Sequence, residues 1–277
     1  MKLLISGTTG FIGKHLCKNL RLNGIDFTCI VRADSDISPF EKNNVSYFKF
    51  GNNLNFLITF MRNEKFDGVI HLASLFIAEH KNEQINDLIG SNILFGTNLL
   101  QASTESGVKW FLNTGTFWQH YNGEEYNPVN LYAATKQAFE DIARYYVESS
   151  SLIFTTLKLN DTHGEGDTRR KIFTLWDQIA KSGEILDMSP GGQLIDIVHV
   201  DHVINAYLKL INLLNNENSK DHNLKSYYIT SGRKITLKEL AKEYEIEHKV
   251  KLNINWAGRT YRKREVMKPK CFGEIIL

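Results

Sequence analysis

The stretch MKLLISGTTGFIGKHL (residues 1–16) places three glycines directly after a short apolar run. The run predicts a buried strand, and the apolar spacing that follows predicts a helix. Between them, Gly7 permits a tight turn, Gly10 lets the backbone approach a pyrophosphate, and Gly13 lets the helix pack closely on the sheet. The helix start adds free N–H groups and the positive end of its dipole. This GxxGxxG spacing favours a dinucleotide-binding turn over a glycine-rich turn that only connects two elements.

The rest of the chain continues this alternation of strands and helices. Strands are predicted at 2–6, 27–31, 45–50, 67–73, 108–114 and 152–159, and helices at 11–22, 54–62, 87–104 and 132–147. Alternation of this kind requires crossover connections and a parallel sheet that is buried on both faces. The sequence therefore predicts an α/β protein with a Rossmann-type, doubly wound parallel sheet, whose ligands bind at the carboxyl ends of the strands.

Composition excludes several classes of protein. The chain has 277 residues, 42% of them hydrophobic, and a formal net charge of +2, which is too small to indicate binding to nucleic acid or a membrane surface. The cysteines at 17, 29 and 271 are too far apart for a metal-ligand pattern, and free thiols fit a reducing compartment. No apolar segment approaches the ~20 residues of a membrane span, and the amino terminus does not read as a signal peptide. We expect a soluble, cytoplasmic protein without a metal site.

The second strand bears on the choice of dinucleotide. It ends in CIVRADSD (29–36), where an acidic residue directly at the strand end would bind the ribose 2′-hydroxyl of NAD. Arg32 stands there instead, and an arginine can pair with the 2′-phosphate of NADP. Asp34 and Asp36 follow too late in the loop. The sequence favours NADPH (NADP) over NAD, and the alternative is that Arg32 is only a solvated side chain.

A tyrosine and a lysine lie on one face of the predicted helix within NLYAATKQAFEDI (130–142). Tyr132 and Lys136 are one helical turn apart. A phenol has an unperturbed pKa of ~10, and a nearby ammonium would lower it. Lys136 could also hold the nicotinamide ribose. Thr114, at the end of the preceding strand, could bind a substrate carbonyl oxygen. We therefore predict Thr114, Tyr132 and Lys136 as the catalytic residues.

Taken together, these motifs resemble the extended branch of the short-chain dehydrogenase/reductase superfamily, which contains nucleotide-sugar epimerases, dehydratases and reductases. The resemblance rests on SGTTGFIGKHL (6–16), VIHLAS (69–74), SNILFGTNLLQA (91–102), LYAATK (131–136), LKLNDTHGEGD (157–167), QLIDIVHVDHVINAYL (193–208) and YRKREVM (261–267). It implies cofactor contacts from Gly7, Thr9, Gly10, Phe11, Ile12, Gly13, Arg32, Leu72, Ala73, Ser74, Asn92, Tyr132 and Lys136. It implies contacts to a nucleotide-diphosphate sugar from Ser74, Thr116, Trp118, Asn160, Lys171 and Arg262.

The resemblance also implies an arrangement of domains. A dinucleotide-binding domain would cover residues 1–159, with 193–212 returning to it. A smaller, C-terminal substrate-binding lobe would combine 160–192 and 213–277. Members of this branch usually continue into a final helix beyond FGEIIL (272–277), and we expect a homodimer.

Departures from the branch's motifs narrow the expected reaction. The 4,6-dehydratases carry Asp and Glu after the threonine, whereas Gly115 and Thr116 follow Thr114, so dehydration is set aside. Lys158 and Ile195 replace arginines that often contact the nucleotide. A basic run, Arg169 to Lys171, could compensate or be a solvated face.

The motifs are most similar to those of 4-reductases that complete CDP-3,6-dideoxyhexoses such as abequose and paratose. They imply NAD(P)H-dependent reduction at C4 of a nucleotide-linked 4-keto-6-deoxy sugar for surface polysaccharide. One alternative is an NAD-dependent 4-epimerase, which the same three residues would serve. His163 could supply a second acid if the enzyme epimerised its substrate at C3 or C5. Another is a dinucleotide-binding sensor without turnover.

Overall fold

A parallel sheet of eight strands forms the centre of the molecule, described in a computed structural model over residues 1–276. Its strands, numbered along the chain, are β1 (Lys2–Ser6), β2 (Asp26–Arg32), β3 (Tyr47–Phe50), β4 (Gly68–His71), β5 (Trp110–Thr116), β6 (Ile153–Leu159), β11 (Ser226–Tyr228) and β14 (Glu274–Ile275). They lie in the order β14-β11-β6-β5-β4-β1-β2-β3, and each neighbouring pair is parallel. The direction of strand order reverses at β1 and β4, so a crevice opens at their carboxyl ends.

Helices cover both faces of this sheet. They are α1 (Phe11–Leu22), α2 (Ser38–Lys42), α3 (Leu54–Glu64), α4 (Ile85–Ile89), α5 (Phe95–Ser106), α6 (Leu131–Glu148), α7 (Ile172–Ser182), α8 (Val200–Leu214) and α9 (Leu237–His248). Helices α1 and α8 bury their apolar faces on one side of the sheet, and α3, α5 and α6 bury theirs on the other. The predicted Rossmann-type α/β fold is confirmed.

The helix predicted over 87–104 is longer than expected and is interrupted. It begins at Ile85, passes through a π-helical turn at Gly90–Leu94 and ends at Ser106. Such turns occur frequently at functional sites. This one contains Asn92, which is buried and hydrogen-bonded to the loop after β4 and to α6. Apolar periodicity does not show an interruption of this kind, because the buried face continues through it.

The smaller lobe has its own apolar core between α7 and α9. Its strands are β7 (Asp161–His163), β8 (Leu186–Met188), β9 (Leu194–Ile195), β10 (Ile197–His199), β12 (Ile235–Thr236) and β13 (Ile254–Trp256), joined in three pairs. Trp176, Leu240 and Tyr244 pack together in this core. Helix α8 packs on the main sheet, whereas β9 and β10, which also lie within the predicted returning segment 193–212, pair with strands of the lobe.

The assignment of all of 213–277 to the lobe is wrong, because β11 and β14 pair into the main sheet. Both strands are short, and only their pairing with β6 and with each other makes them part of the sheet. No helix within residues 1–276 combines the length and apolar character needed to cross a membrane.

Candidate active site

The glycine turn has the close approaches that its sequence predicts. Gly7 has φ of 77°, and a Cβ atom there would lie 2.5 Å from the backbone nitrogen of Ala73. A Cβ at Gly13 would lie 2.2 Å from the carbonyl oxygen of Gly7. At Gly10 the nearest atom to a Cβ would be that same oxygen at 3.2 Å, so this position leaves room for a ligand. The turn thus fits a dinucleotide pyrophosphate beside the start of α1.

A cavity of about 840 Å³ continues from this turn toward the end of β2. Its lining includes Thr9, Cys17, Cys29 and Phe40, and it contains Arg32, 84% exposed at its side chain and 3.6 Å from Asp34. Four cationic side chains face it, from Lys14, Lys18, Arg21 and Arg32. Sequence analysis missed the contribution of α1, although Lys14, Lys18 and Arg21 recur at helical spacing. The surroundings suit an anionic group on the adenosine ribose.

The loop after β4 is fixed to the glycine turn through Ser6. The backbone N–H of Leu72 donates to the Ser6 carbonyl oxygen at 3.2 Å, and that of Ala73 donates to its hydroxyl at 3.2 Å. On the other side of the turn, Phe11 lies under the Arg169 guanidinium, 4.4 Å from the centre of its ring. Arg169 also donates to Asp167, so it holds the loop 164–169 against α1 and does not substitute for a missing phosphate contact.

The Asn92 side chain hydrogen-bonds with other residues of the protein, whereas a contact with the cofactor was expected. Its Oδ1 accepts from the backbone N–H of Leu75 at 2.7 Å and from the Ser74 hydroxyl at 3.2 Å. Its Nδ2 donates to the Leu75 carbonyl at 3.0 Å and to the Thr135 hydroxyl at 3.0 Å. Both ends of the amide are therefore engaged. Asn92 orients Ser74 and joins the β4 loop to α6.

Tyr132 and Lys136 lie at the start of α6, which Asn130 caps by accepting from the backbone N–H of Ala133. Burial raises the pKa of Tyr132 to about 12, and hydrogen bonds with the hydroxyls of Ser74 and Thr116 act against this shift. Burial lowers the pKa of Lys136 to about 8. The expected lowering of the phenol pKa is thus absent, because the cost of burying a phenolate, with the nearby Asp161 charge, outweighs the hydrogen bonds from Ser74 and Thr116. Tyr132 is a protonated donor at neutral pH.

Thr116 is the β5 threonine whose hydroxyl acts on the pKa of Tyr132, whereas Thr114 is engaged by another residue. The Thr114 hydroxyl lies 2.7 Å from the hydroxyl of Tyr207 on α8, a buried phenol whose pKa is raised by burial and by the nearby Tyr132. Thr116 is the last residue of β5, so its hydroxyl reaches the crevice and hydrogen-bonds with Tyr132. Both threonines lie on the same face of the strand, and the sequence alone does not show which one stands at its end.

The predicted substrate residues gather beside the phenol. The ring of Phe76 lies 5.0 Å from that of Tyr132 and 5.4 Å from that of Trp118. The Lys171 ammonium lies 4.3 Å from the Phe76 ring, and the Arg262 guanidinium lies 6.0 Å from the Trp118 ring. An aromatic wall with two cations results. Phe76 was not predicted, although an aromatic residue just after a strand end was a usable signal.

An acidic residue also faces this cleft. Asp161 lies 3.4 Å from the Lys171 ammonium, and its charge contributes to the raised pKa of Tyr132. Sequence analysis treated Asp161 only as part of a motif. The carboxylate of Asp161 therefore acts on the phenol while it is paired with the Lys171 cation.

Asn160 was predicted to contact the substrate, but its side chain is engaged elsewhere in the protein, and so is that of Lys158. The Asn160 amide donates to Asp196 at 3.1 Å and to the Ile229 carbonyl at 3.0 Å, and its oxygen accepts from the Cys271 thiol at 3.3 Å. It is therefore a buried structural residue. The Lys158 ammonium points toward Glu140 and His120, so it is not a diphosphate ligand.

The histidines considered as acids lie elsewhere. The His163 ring lies 4.9 Å from that of Phe173 and edge-on to that of His199 at 5.2 Å, in a cavity of about 430 Å³ that shares Asp161 and Lys171 with the cleft. Burial lowers the pKa of His163. The ring of His120 is buried behind β5. Neither histidine contacts Tyr132.

A dinucleotide cradle, a protonated tyrosine and a buried lysine at one sheet edge define a nucleotide-dependent oxidoreductase. The sequence profile of the "NAD dependent epimerase/dehydratase family" matches residues 3–224. The chain belongs to that family and is an NAD(P)-dependent oxidoreductase-type enzyme.

Among curated proteins, the chain is similar to CDP-abequose synthase of Salmonella typhimurium, with 28% identity over 242 residues that cover 86% of this chain and 77% of the relative. It is 26% identical to CDP-abequose synthase of Yersinia pseudotuberculosis over 271 residues, covering 97% and 92%. The UDP-glucose 4-epimerase of Thermotoga maritima, solved with UDP-glucose, superimposes with a TM-score of 0.82 at 21% identity, covering 99% of this chain and 90% of that one. At that identity the superposition shows the fold.

Proposed function

We propose that the protein reduces the C4 carbonyl of a nucleotide-linked 4-keto-6-deoxy sugar with NADPH. The observation that carries this proposal is the protonated Tyr132 phenol, flanked by the Ser74 and Thr116 hydroxyls and facing an aromatic, cationic cleft. A carbonyl that accepts a hydride needs a proton donor at its oxygen. A phenol with a pKa of about 12 holds that proton throughout the neutral range.

Each side chain then has a defined task. Thr116, in place of Thr114, donates a hydrogen bond to the C4 oxygen, and Tyr132 transfers its proton to the developing alkoxide. The Lys136 ammonium stabilises the phenolate that results and holds the nicotinamide ribose. NADPH supplies the hydride when it is bound. Gly115 and Thr116 follow Thr114, so no carboxylate stands at the positions where the dehydratases carry Asp and Glu.

The preference for NADPH is supported by the cations around the adenosine cavity. Arg32, Arg21 and Lys18 face that cavity, where Asp34 and Asp36 are the acidic residues. Charge-assisted hydrogen bonds from arginine to phosphate are roughly twice as strong as neutral ones. A 2′-phosphate would gain such bonds here, and a 2′-hydroxyl would not.

The nature of the substrate is supported by the cleft and by the relatives. Lys171 and Arg262 offer two cations for a diphosphate, and the rings of Phe76 and Trp118 offer a flat apolar surface for the sugar. Two relatives with 28% and 26% identity are named CDP-abequose synthase, which favours a CDP-linked deoxysugar.

The test is a comparison of CDP-, dTDP-, GDP- and UDP-linked 4-keto-6-deoxyhexoses with NADPH and with NADH. We expect one NADPH oxidised per keto sugar, fastest with the CDP substrate, and a 4-hydroxy product by NMR. No oxidation of either dinucleotide with any of the four substrates would contradict the proposal.

A 4-epimerase is the second candidate, because the same three residues serve it and the chain shares the fold of a UDP-glucose 4-epimerase. In that case UDP-glucose and UDP-galactose would interconvert without net change in the dinucleotide. The reductase should leave UDP-glucose unchanged when no keto sugar is present.

A further inference from the structure

A buried group of charged side chains lies behind the proposed catalytic residues, at the carboxyl ends of β5 and β6. Its centre is Glu140, one helical turn after Lys136 on α6 and only 14% exposed at its side chain. The carboxylate accepts a hydrogen bond from Gln119 Nε2 at 3.0 Å and lies 3.8 Å from the Lys158 ammonium. We call Glu140, Lys136, Lys158, Gln119 and His120 the Glu140 cluster.

The orientation of His120 keeps Lys158 directed at Glu140. His120 Nδ1 lies 2.6 Å from the carbonyl oxygen of Glu125, so this nitrogen carries the proton and Nε2 is free to accept. Nε2 accepts from the Lys158 ammonium at 3.0 Å. Burial, with the Lys158 charge, lowers the pKa of His120 to about 4, so the ring is neutral. Burial raises the pKa of Glu140, and the Lys158 charge, the Gln119 hydrogen bond and the Lys136 charge act against this shift, so Glu140 is the carboxylate partner of both lysines.

Gln119 extends the cluster to the active-site threonine. Its Nε2 donates to Glu140, and its Oε1 accepts from the backbone N–H of Thr116 at 3.0 Å. The amide is thus held at both ends. The same Nε2 also donates to Gln137 at 2.9 Å, so Glu140 and Gln137 together determine where Gln119 lies. Gln119 in turn fixes the end of β5 from which Thr116 reaches the substrate oxygen.

Glu140 also opposes the effect of burial on Lys136. Burial lowers the pKa of Lys136, and the negative charge of Glu140 acts in the opposite direction. Without that charge, Lys136 and Lys158 would be two buried cations with no carboxylate between them. Removing one member of a buried ion pair strongly destabilises the protein, because the other charge is left buried without a partner. Lys136 would then lose its proton at a lower pH.

We propose that Glu140 is a positioning residue that keeps Lys136 charged and holds Thr116 in place for proton transfer by Tyr132. This inference rests on the proposed function, since it assigns Glu140 a role through two residues that would act on the substrate. Glu140 does not itself contact the cleft, so it is not a catalytic residue.

The expected pH dependence follows from the groups that face these two side chains. They are Asp141 on α6, Lys158 on β6, Gln119 and His120 after β5, and His71 on β4. His71 is neutral, because burial lowers its pKa to about 3. With Glu140 present, Lys136 loses its charge as the pH rises through about 8. Glu140→Gln should move this loss to lower pH.

The experiment measures kcat/KM for the reduction of a CDP-linked 4-keto-6-deoxyhexose between pH 5.5 and 9.5. Loss of a nearby charge changes such a pKa by about one unit or more. In Glu140→Gln, which keeps the shape and can still accept from Gln119, we expect the alkaline decrease to begin about one pH unit earlier, with about a fivefold loss at pH 8, about a tenfold loss above pH 9 and little loss at pH 6. Glu140→Asp, which keeps the negative charge, should return the alkaline decrease in kcat/KM to near its wild-type pH. The control variant Asp141→Asn, at the exposed neighbouring position, should match the wild type.

A second readout does not depend on the substrate. The ¹³Cε signal of Lys136, assigned by comparison with Lys136→Met, should titrate with a lower midpoint in Glu140→Gln than in the wild type. An unchanged midpoint together with an unchanged alkaline decrease in kcat/KM would overturn the inference, even if the melting temperature fell. A shifted midpoint in a protein that reduces none of the keto sugars would instead overturn the proposed function and leave the role of Glu140 toward Lys136 in place.

Discussion

At the scale of single residues, the site depends on the difference in environment between two groups on one helix. Burial raises the pKa of Tyr132 to about 12 and lowers that of Lys136 to about 8. Between neutral pH and pH 8 the phenol is protonated and most of the amine is charged. This combination suits donation of a proton to an alkoxide, because the phenolate forms beside a cation.

Tyr132→Phe removes the proton donor and keeps the aromatic ring against Phe76. General acid catalysis typically contributes about 10²–10⁴-fold, so kcat should fall by that order. The dissociation constant of NADPH, measured by fluorescence, should stay within about threefold of the wild-type value, since the glycine turn and Lys136 are intact. Near-normal turnover in this variant would show that another group donates the proton.

The two β5 threonines provide a matched pair of variants. Thr116→Ala should lower kcat by about 10²–10³-fold, as expected for loss of one donor to a developing oxyanion. Thr114→Ala leaves the Tyr207 hydroxyl buried without its partner and should cost about 1–3 kcal/mol of unfolding free energy, with turnover near normal. Urea denaturation and steady-state kinetics on both variants separate the roles. A reversed pattern would restore Thr114 as the catalytic threonine.

Arg32→Ala tests the choice of dinucleotide. A hydrogen bond to a charged group contributes about 1.5–3 kcal/mol, so the KM for NADPH should rise about 10–150-fold while that for NADH changes little. Arg62→Ala, an exposed arginine paired with Glu105 on the outer helices, is the control. An equal loss for both dinucleotides, or a wild-type preference for NADH, would contradict the role of Arg32.

At the scale of elements, the π-helical turn between α4 and α5 joins structure to the site. It places Asn92 where one amide bridges the backbone of Leu75, the Ser74 hydroxyl and Thr135 on α6. Two elements that carry active-site residues are thereby held in one arrangement. The interruption of the helix is needed because a residue must face both the β4 loop and α6.

Asn92→Ala should therefore affect both stability and turnover. Buried polar groups left without partners cost about 1–3 kcal/mol, so the melting temperature should fall by several degrees. Turnover should fall as well, because Ser74 loses its partner beside Tyr132. Asn86→Ala, at an exposed position of α4, should change neither quantity. If Asn92→Ala lowered the affinity for NADPH alone, without an effect on stability, the amide would contact the cofactor after all.

At the scale of the whole molecule, the cofactor cradle belongs to the large sheet, whereas the substrate cations come from the lobe. Lys171 precedes α7 and Arg262 lies near the carboxyl end, yet both reach the aromatic pair of Phe76 and Trp118 from the main domain. The short strands β11 and β14 come before and after the last lobe segment along the chain, and both extend the main sheet beyond β6. Binding at the cradle should therefore stabilise the fold as a whole.

A thermal shift assay tests this coupling and the cofactor preference together. A ligand at 100 times its Kd adds about 2.7 kcal/mol to the stability of the native state. For a chain of 277 residues this corresponds to a rise in Tm of roughly 5–10 °C with saturating NADPH. NADH at the same concentration should give a smaller rise, and Gly13→Ala should abolish both, because its Cβ would collide with the backbone of Gly7.

The sequence alone determined the features that depend on local order. A strand, a glycine turn and a helix lie at fixed spacing in residues 2–22, and the alternation behind them predicted the parallel sheet. Tyr132 and Lys136 were correctly placed on one helix face, since residues one turn apart must share it. The aromatic and cationic residues Trp118, Lys171 and Arg262 were found through motifs, and they do meet in one cleft.

Tertiary structure decided what depends on distance between segments and on burial. Thr114 and Thr116 differ only in how far β5 extends, and that length is set by its pairing with β6. Asn92 and Asn160 have polar side chains that suit a ligand, but the groups that surround them in the fold occupy their amides. The pKa of Tyr132 rises because desolvation of the phenolate outweighs the hydrogen bonds from Ser74 and Thr116, and the packing of the folded chain is what determines that desolvation.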